Sequence, residues 1–264
     1  MSLPRRKDWR LPRASGRFVH VWRRNFLVWR KQAITAILGN LADPMMYMLG
    51  LGLGLGALMP EVNGTRYIVF LAAGTVAYST MNSATFEALY SGFSRMQIQK
   101  TWEAIMNAPL DLDDIMLAEA LWAASKATLS GFAILLIIWV LGLSHAALTL
   151  WIVPIAFLVG LTFACLALVM TAISPSYDFF LYYFTLVMTP MTLLCGVFFP
   201  IEQLPPALRA VSEFLPLYHA ISLVRPLLSS AVPPNLFLNV AVLLAYAAGG
   251  FYAALVLARR RLLV

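Results

Sequence analysis

Charge is scarce in this chain. Only 12% of its 264 residues are Asp, Glu, Lys or Arg, against 61% hydrophobic, at a mean hydropathy of +0.79. Soluble domains carry about 25% charged and about 45–50% apolar residues, so a soluble globular enzyme is excluded and an integral membrane protein is indicated. Cysteine is equally rare. Cys165 and Cys195 both fall in apolar runs, which excludes a disulfide framework or a metal-ligand spacing and leaves them as small buried hydrophobes. The three histidines, His20, His145 and His219, belong to separate segments, and no G-x-S-x-G elbow occurs; no catalytic constellation stands out. Lysine occurs only at Lys7, Lys31, Lys100 and Lys126, preceded by Arg6, Arg30, Gln99 and Ser125. A phosphate-cradling P-loop needs Gly immediately before its Lys, so ATP-driven work by this chain requires an ATPase on another polypeptide.

What the chain has in abundance is long apolar runs, at about residues 34–58, 67–90, 115–142, 149–173, 179–199 and 236–258. Each approaches the ~20 residues of a bilayer-crossing helix, and the short alternating segments of a barrel are absent. The expected fold is an all-α integral membrane protein of six transmembrane helices. Residues 1–33 are expected to form a cytoplasmic basic tail and interface helix, and residues 34–264 the six-helix transmembrane domain. No cleavable signal peptide is expected, because the first apolar run is too long for one and contains Asp43.

The net charge of +7 is unevenly placed. Ten of the nineteen basic residues precede the first span, Arg259, Arg260 and Arg261 close the chain, and Arg95 and Lys100 lie between spans two and three. With both ends cytoplasmic, only Arg66, Arg209 and Arg225 face outward, and Lys126 sits inside the third span. That asymmetry orients membrane proteins and speaks for lipid contact rather than a nucleic-acid partner. Residues 17–33 read as an amphipathic helix with Phe18, Val19, Trp22, Phe26, Trp29 and Ala33 on one face and Arg17, His20, Arg23, Arg24, Arg30 and Lys31 on the other. Such a helix lies in the headgroup plane, either as an anchor or as a lever on the first span.

Within span one, Asp43-Pro44 predicts a kink, and the ladder Gly50, Gly52, Gly54, Gly56 predicts close helix packing. The loop 91–114 carries a short helical pattern with Ile98, Trp102, Ile105 and Met106 on one side, exposed to the cytosol, stopped by Pro109. It is a docking surface or a loop tucked against its own bundle. Asp111, Asp113 and Asp114 then place negative charge where the third helix begins. The run Phe179 to Phe184 suits an interfacial aromatic belt or a platform for sugar rings. Prolines 200, 205, 206, 216, 226, 233 and 234 break residues 200–235 into short re-entrant or surface helices on the outer face.

Asp43, Glu87 and Glu119 are costly in lipid and so are functional candidates; they make a proton-coupled exporter the rival mechanism, and a non-transporting membrane scaffold is the third reading. All three map toward the cytoplasmic ends of their spans, whereas a proton relay favours the midplane. No internal repeat is evident, so a transport path calls for two copies on a two-fold axis. Gly52 and Gly56 of span one and Phe180, Tyr183 and Phe184 of span five are the candidates for lining it, with Pro200, Glu202, Pro205 and Pro216 at the outer mouth.

The blocks Phe70-Leu71-Ala72-Ala73-Gly74, Ala84-Thr85-Phe86-Glu87, Thr101-Trp102-Glu103-Ala104, Trp122-Ala123-Ala124, Ser174-Pro175-Ser176-Tyr177-Asp178, Phe199-Pro200-Ile201-Glu202-Gln203-Leu204-Pro205 and Phe214-Leu215-Pro216-Leu217 together resemble the nodulation protein J branch of type-2 ABC exporter permeases. The resemblance covers nearly the whole chain. It implies a six-helix subunit in a bacterial inner membrane that forms a homodimer and pairs with two copies of an ABC ATPase subunit. It gives Ile98, Thr101, Trp102, Glu103, Ile105 and Met106 the role of contacting that ATPase. It also implies that ATP and Mg belong to the partner, with no cofactor in this chain, and that the cargo is an amphiphilic glycan or lipid, a lipid-modified chitin-type oligosaccharide in this branch.

Overall fold

The computed structural model describes residues 9–263 other than Ala14 and Asn63, and not the side chains of Asn40, Leu41 and Asp43. Arg5, Arg6 and Lys7 of the basic tail and the Asp43 carboxylate lie outside the described residues.

Helix α1 (Phe18–Trp29) passes through a 3-10 turn (Arg30–Gln32) into α2 (Ala33–Leu58), with Pro44 inside the helix rather than at its start. A two-residue hairpin, β1 (Glu61–Val62) against β2 (Thr65–Arg66), leads to α3 (Tyr67–Phe86). This helix continues beyond its expected end as two π-helical stretches, Glu87–Ser91 and Ser94–Ile98, until Lys100 turns left-handed at φ 50°. The short α4 (Thr101–Met106) follows, then α5 (Leu112–Val140), α6 (Ile152–Ile173), the pair α7 (Phe179–Tyr183) and α8 (Thr189–Leu194) joined by a π stretch, α9 (Pro206–Phe214), α10 (Pro216–Leu228) and α11 (Leu236–Leu262).

Four helices among the described residues are long and apolar enough to cross a membrane: Phe18–Leu58, Leu112–Val140, Ala147–Ile173 and Leu236–Leu262. The other two expected spans differ for opposite reasons. Helix α3 has the length but carries Thr75, Ser79, Thr80, Asn82, Ser83 and Thr85, and its hydroxyls turn back to its own carbonyls, Thr75 to Leu71 and Thr80 to Val76 at 2.8 Å each. It is buried nearly throughout, so protein rather than lipid surrounds those groups. The segment Phe179–Leu194 is apolar but short.

Helix α3 is the centre of the bundle, and its small residues permit that. A Cβ on Gly74 would sit 2.9 Å from the Val197 Cα, so only glycine lets the chain after α8 lie against α3. Gly160 of α6 approaches α5 in the same way, a Cβ there lying 3.1 Å from the Ala124 Cα. The core between these helices holds Met81, Leu89, Phe93, Met96, Phe163 and Phe180.

Two expected faces are turned. In α1 the fully buried residues are Val21 and Asn25, packed toward α5, while Val19 stays 48% exposed. The stripe is rotated because Asn25 reaches a buried carboxylate and Trp22, Phe26 and Trp29 gather around the Trp122 ring at 5.9–6.3 Å. The glycine ladder splits as well: Gly52 packs on Ile68 and Leu71 of α3, whereas Gly50 and Gly54 meet nothing within 4 Å.

Arg10, Arg13 and Ser15, before α1, and the last turn of α11 converge on the start of α5. Asp113 accepts bonds from Arg259 Nε at 3.1 Å and Nη2 at 2.6 Å and from the Arg13 backbone N–H at 2.9 Å, and Asp114 accepts from the Ser15 N–H and hydroxyl at 2.8 and 2.6 Å. Arg259 also donates to the Arg10 carbonyl at 2.6 Å. Acidic residues favour a helix N-terminus, and here they also join the segment before α1 to the last turn of α11.

Candidate functional site

The α5 sequence places Glu119, Trp122 and Lys126 at i, i+3 and i+7, one face of a helix. Opposite lies the π-helical extension of α3, where Glu87 opens the first stretch and Arg95 lies in the second. Such π turns recur at functional sites, and this extension brings two carboxylates and two cations into contact. Arg95 Nη2 meets Glu87 Oε1 at 3.0 Å, Arg95 Nε meets Glu119 Oε1 at 2.9 Å, and Arg95 Nη2 also bonds Glu119 Oε2. Lys126 Nζ holds Glu87 Oε2 at 2.8 Å.

Neutral donors complete the shell. Trp122 Nε1 donates to Glu87 Oε1 at 2.9 Å, and Glu119 Oε1 also accepts from Trp102 Nε1 at 3.2 Å and Asn25 Nδ2 at 3.3 Å. The glutamates are 4% and 2% exposed. Removing such ions from water costs several kcal/mol each, offset only by dense pairing. Around Arg95 burial works to lower its pKa, but the Glu119 and Glu87 charges outweigh it and hold the guanidinium above its ordinary value. The cluster therefore ties four elements together: α1 through Asn25, the α3 extension, α4 through Trp102, and α5. A cavity of about 450 Å³ opens beside it, lined by Arg24, Asn25, Trp29, Gln32, Arg95 and Lys126 among others.

The expected exposed face of α4 is corrected by this geometry. Trp102 is 1% exposed, drawn inward by the Glu119 carboxylate, and Ile105 and Met106 pack against the core. Thr101 is half-buried, while Ile98, at 62% exposure, and Glu103 face outward with Ala104 and Asn107. Among the path candidates, Gly52, Phe180 and Tyr183 are core residues, Phe180 seated among Tyr90, Phe93 and Tyr177. Gly56 is half-buried beside Tyr67. Phe184, its ring tilted against Phe86 with centroids 4.7 Å apart, lines a cavity of about 220 Å³ with Tyr47, Tyr78 and Phe198. In the broken segment Pro200 and Pro216 are buried, and Glu202 and Pro205 are exposed.

Arg95, Lys126, Trp122 and Asn25 were not singled out as site residues by sequence reasoning. The signal that points to three of them is the Glu119, Trp122, Lys126 spacing together with Glu87 and Arg95 eight residues apart on a helix that does not stop at residue 90.

Residues 16–228 match the family model described as ABC-2 type transporter. The chain is 46% identical over 253 residues to nodulation protein J of Rhizobium leguminosarum bv. viciae, covering 96% of this chain and 98% of that protein. To nodulation protein J of Rhizobium meliloti (strain 1021) it is 45% identical over 253 residues, covering 96% and 97%. The inner membrane transport permease YadH of Escherichia coli (strain K12) is 23% identical over 189 residues, 67% of this chain and 69% of that one. A helical membrane chain with these relatives along almost its whole length belongs to the ABC-2 type transporter family, in its nodulation protein J branch.

Proposed function

We propose that this permease is one half of a homodimeric exporter in a bacterial inner membrane, worked by two copies of a separate ATPase that holds ATP and Mg. In this reading six spans are formed by α2, α3, α5, α6, the Phe179–Leu194 segment and α11, with both termini cytoplasmic and residues 200–235 at the outer mouth. The cargo is an amphiphilic glycan of the lipo-oligosaccharide kind, a reading supported by the name of the relatives above.

The observation that carries it is the attachment of α4. Its outer edge, Glu103 and Ala104, is exposed together with the flanking Ile98 and Asn107 and free for a partner, while its inner edge is fastened by Trp102 to Glu119. A push on the edge moves Trp102. Glu119 and Arg95 cannot separate without leaving a buried charge alone, so the displacement passes to α5, the α3 extension and α1 together. A proton-coupled mechanism is disfavoured, because Glu87 and Glu119 are both held by cations.

The test is reconstitution of the permease with its ATPase in proteoliposomes. Glu103→Arg and Ile98→Asp are expected to abolish substrate-stimulated ATP hydrolysis while membrane insertion stays intact. The permease alone is expected to move nothing down a proton gradient. Full stimulation in both variants, or gradient-driven transport that disappears in Glu87→Gln, overturns the reading.

A further inference from the structure

The cavity beside the charge cluster has more positive charge and more donors than its own residues use. Of the cations around it, Arg95 and Lys126 are committed to Glu87 and Glu119. Arg24 is different: its Nη1 donates to the Oδ1 of neighbouring Asn25 at 3.0 Å, and among the described residues no carboxylate lies within ion-pair distance of it. Three cations thus face two carboxylates. Trp29 adds a second, independent observation. Its ring lines the same cavity, and its indole N–H is buried with no acceptor among the described residues. A buried donor without an acceptor costs about 1–3 kcal/mol, and a partly buried guanidinium that only the more distant Glu119 charge offsets is likewise unfavourable. One ligand relieves both.

We infer that this cavity binds the anionic headgroup of an amphiphile in the cytoplasmic leaflet. A phosphoryl or sulfate group accepts the planar fork of Arg24 and the Trp29 N–H together, and Gln32, Ser94 and Gln99 line the wall as neutral donors. About 450 Å³ suits a headgroup rather than a whole lipid. Val28 and Ala36 line the cavity where α1 passes into α2, an apolar wall for the first methylenes of a tail. The placement in the cytoplasmic leaflet rests on the proposed topology. Two sources share this chemistry, a resident acidic phospholipid and the charged head of a transported amphiphile.

The experiment is native mass spectrometry of the full chain released from bilayers of equal phosphatidylglycerol and phosphatidylcholine. Wild type is expected to retain phosphatidylglycerol selectively. Arg24→Gln is expected to weaken retention about tenfold, as for a hydrogen bond to a charged group, Trp29→Phe severalfold, and Arg23→Gln, on the exposed face, not at all. Dodecyl phosphate, added to proteoliposomes that hold the permease with its ATPase, separates the sources: displacement with transport across the bilayer assigns the site to cargo, displacement without transport to resident lipid, and both support the site. Equal retention of the two lipids by wild type, or equal losses in Arg23→Gln and Arg24→Gln, overturns it. Retention is read without the ATPase and so is independent of coupling. Labelling of Val19→Cys from the cytoplasmic side by an impermeant thiol reagent tests the topology separately, Cys165 and Cys195 being buried.

Discussion

Among the described residues Arg95 is the one cation that touches both glutamates of the cluster, and its removal is expected to cost more than any other single change there. In Arg95→Met, Glu119 keeps only the neutral donors Trp102 and Asn25, whereas Glu87 keeps Lys126 and Trp122. Breaking a buried pair by removing one partner costs about 3–5 kcal/mol, a fall of roughly 6–20 °C in apparent melting temperature for a chain of this size. Lys126→Met, at a side chain 17% exposed and serving one carboxylate that Arg95 still holds, is expected to cost less than half as much. The decisive variant is the double change Arg95→Met with Glu119→Gln. It removes the stranded charge, so it is expected to regain about 2 kcal/mol over Arg95→Met alone, within the range of coupled neighbours. Thermal unfolding of purified protein in nanodiscs, followed by tryptophan fluorescence, measures all four proteins. If the double variant is less stable than Arg95→Met, or if Lys126→Met equals it, the cluster is not organised around Arg95.

Three further outcomes follow from separate contacts. Trp102→Phe keeps the ring but removes the donor to Glu119, so it is expected to cost about 1.5–3 kcal/mol and to lower substrate-stimulated ATP hydrolysis with membrane insertion unchanged; unaltered hydrolysis would show that α4 acts without this bond. Gly74→Val drives a side chain into the Val197 backbone and is expected to destabilise by about 1–3 kcal/mol, whereas Gly54→Val, in open space, is expected to leave unfolding unchanged. Arg259→Met strands Asp113, and limited proteolysis should then cut between residues 9 and 17 faster than in wild type.

Hydropathy made α2, α5, α6 and α11 legible, because a long apolar run has few alternatives to a membrane helix. The same reasoning misses what burial inside protein does to α3, where Thr75 and Thr80 lower the apolar signal yet sit at the centre of the bundle. The inward turn of Trp102 was illegible for another reason. In a six-residue helix the face is set by where the previous helix ends, and α3 runs to Ile98 through π turns that no spacing rule foresees. Arg95 was counted with the loop charges that orient the protein, so its carboxylate partners went unread. In the run from Phe179 to Phe184 the aromatic composition says only that rings are present. That Phe180 faces inward while Tyr182 stays exposed follows from the partners Phe93 and Tyr90 on the α3 extension.

The meeting of Arg10, Arg13 and Ser15 with Arg259 at the start of α5 has a consequence for the order in which the protein is made. Asp113 emerges from the ribosome 146 residues before Arg259, an interval of about 7–30 s at ordinary synthesis rates. During that time the head of α5 holds an acidic pair without its principal cation, and residues 10–15 have only part of their seat. The last turn of α11 supplies the missing charge, and with it a bond to the Arg10 carbonyl. A chain stalled or cleaved before Arg259 therefore lacks the guanidinium that joins Asp113 to the Arg10 carbonyl.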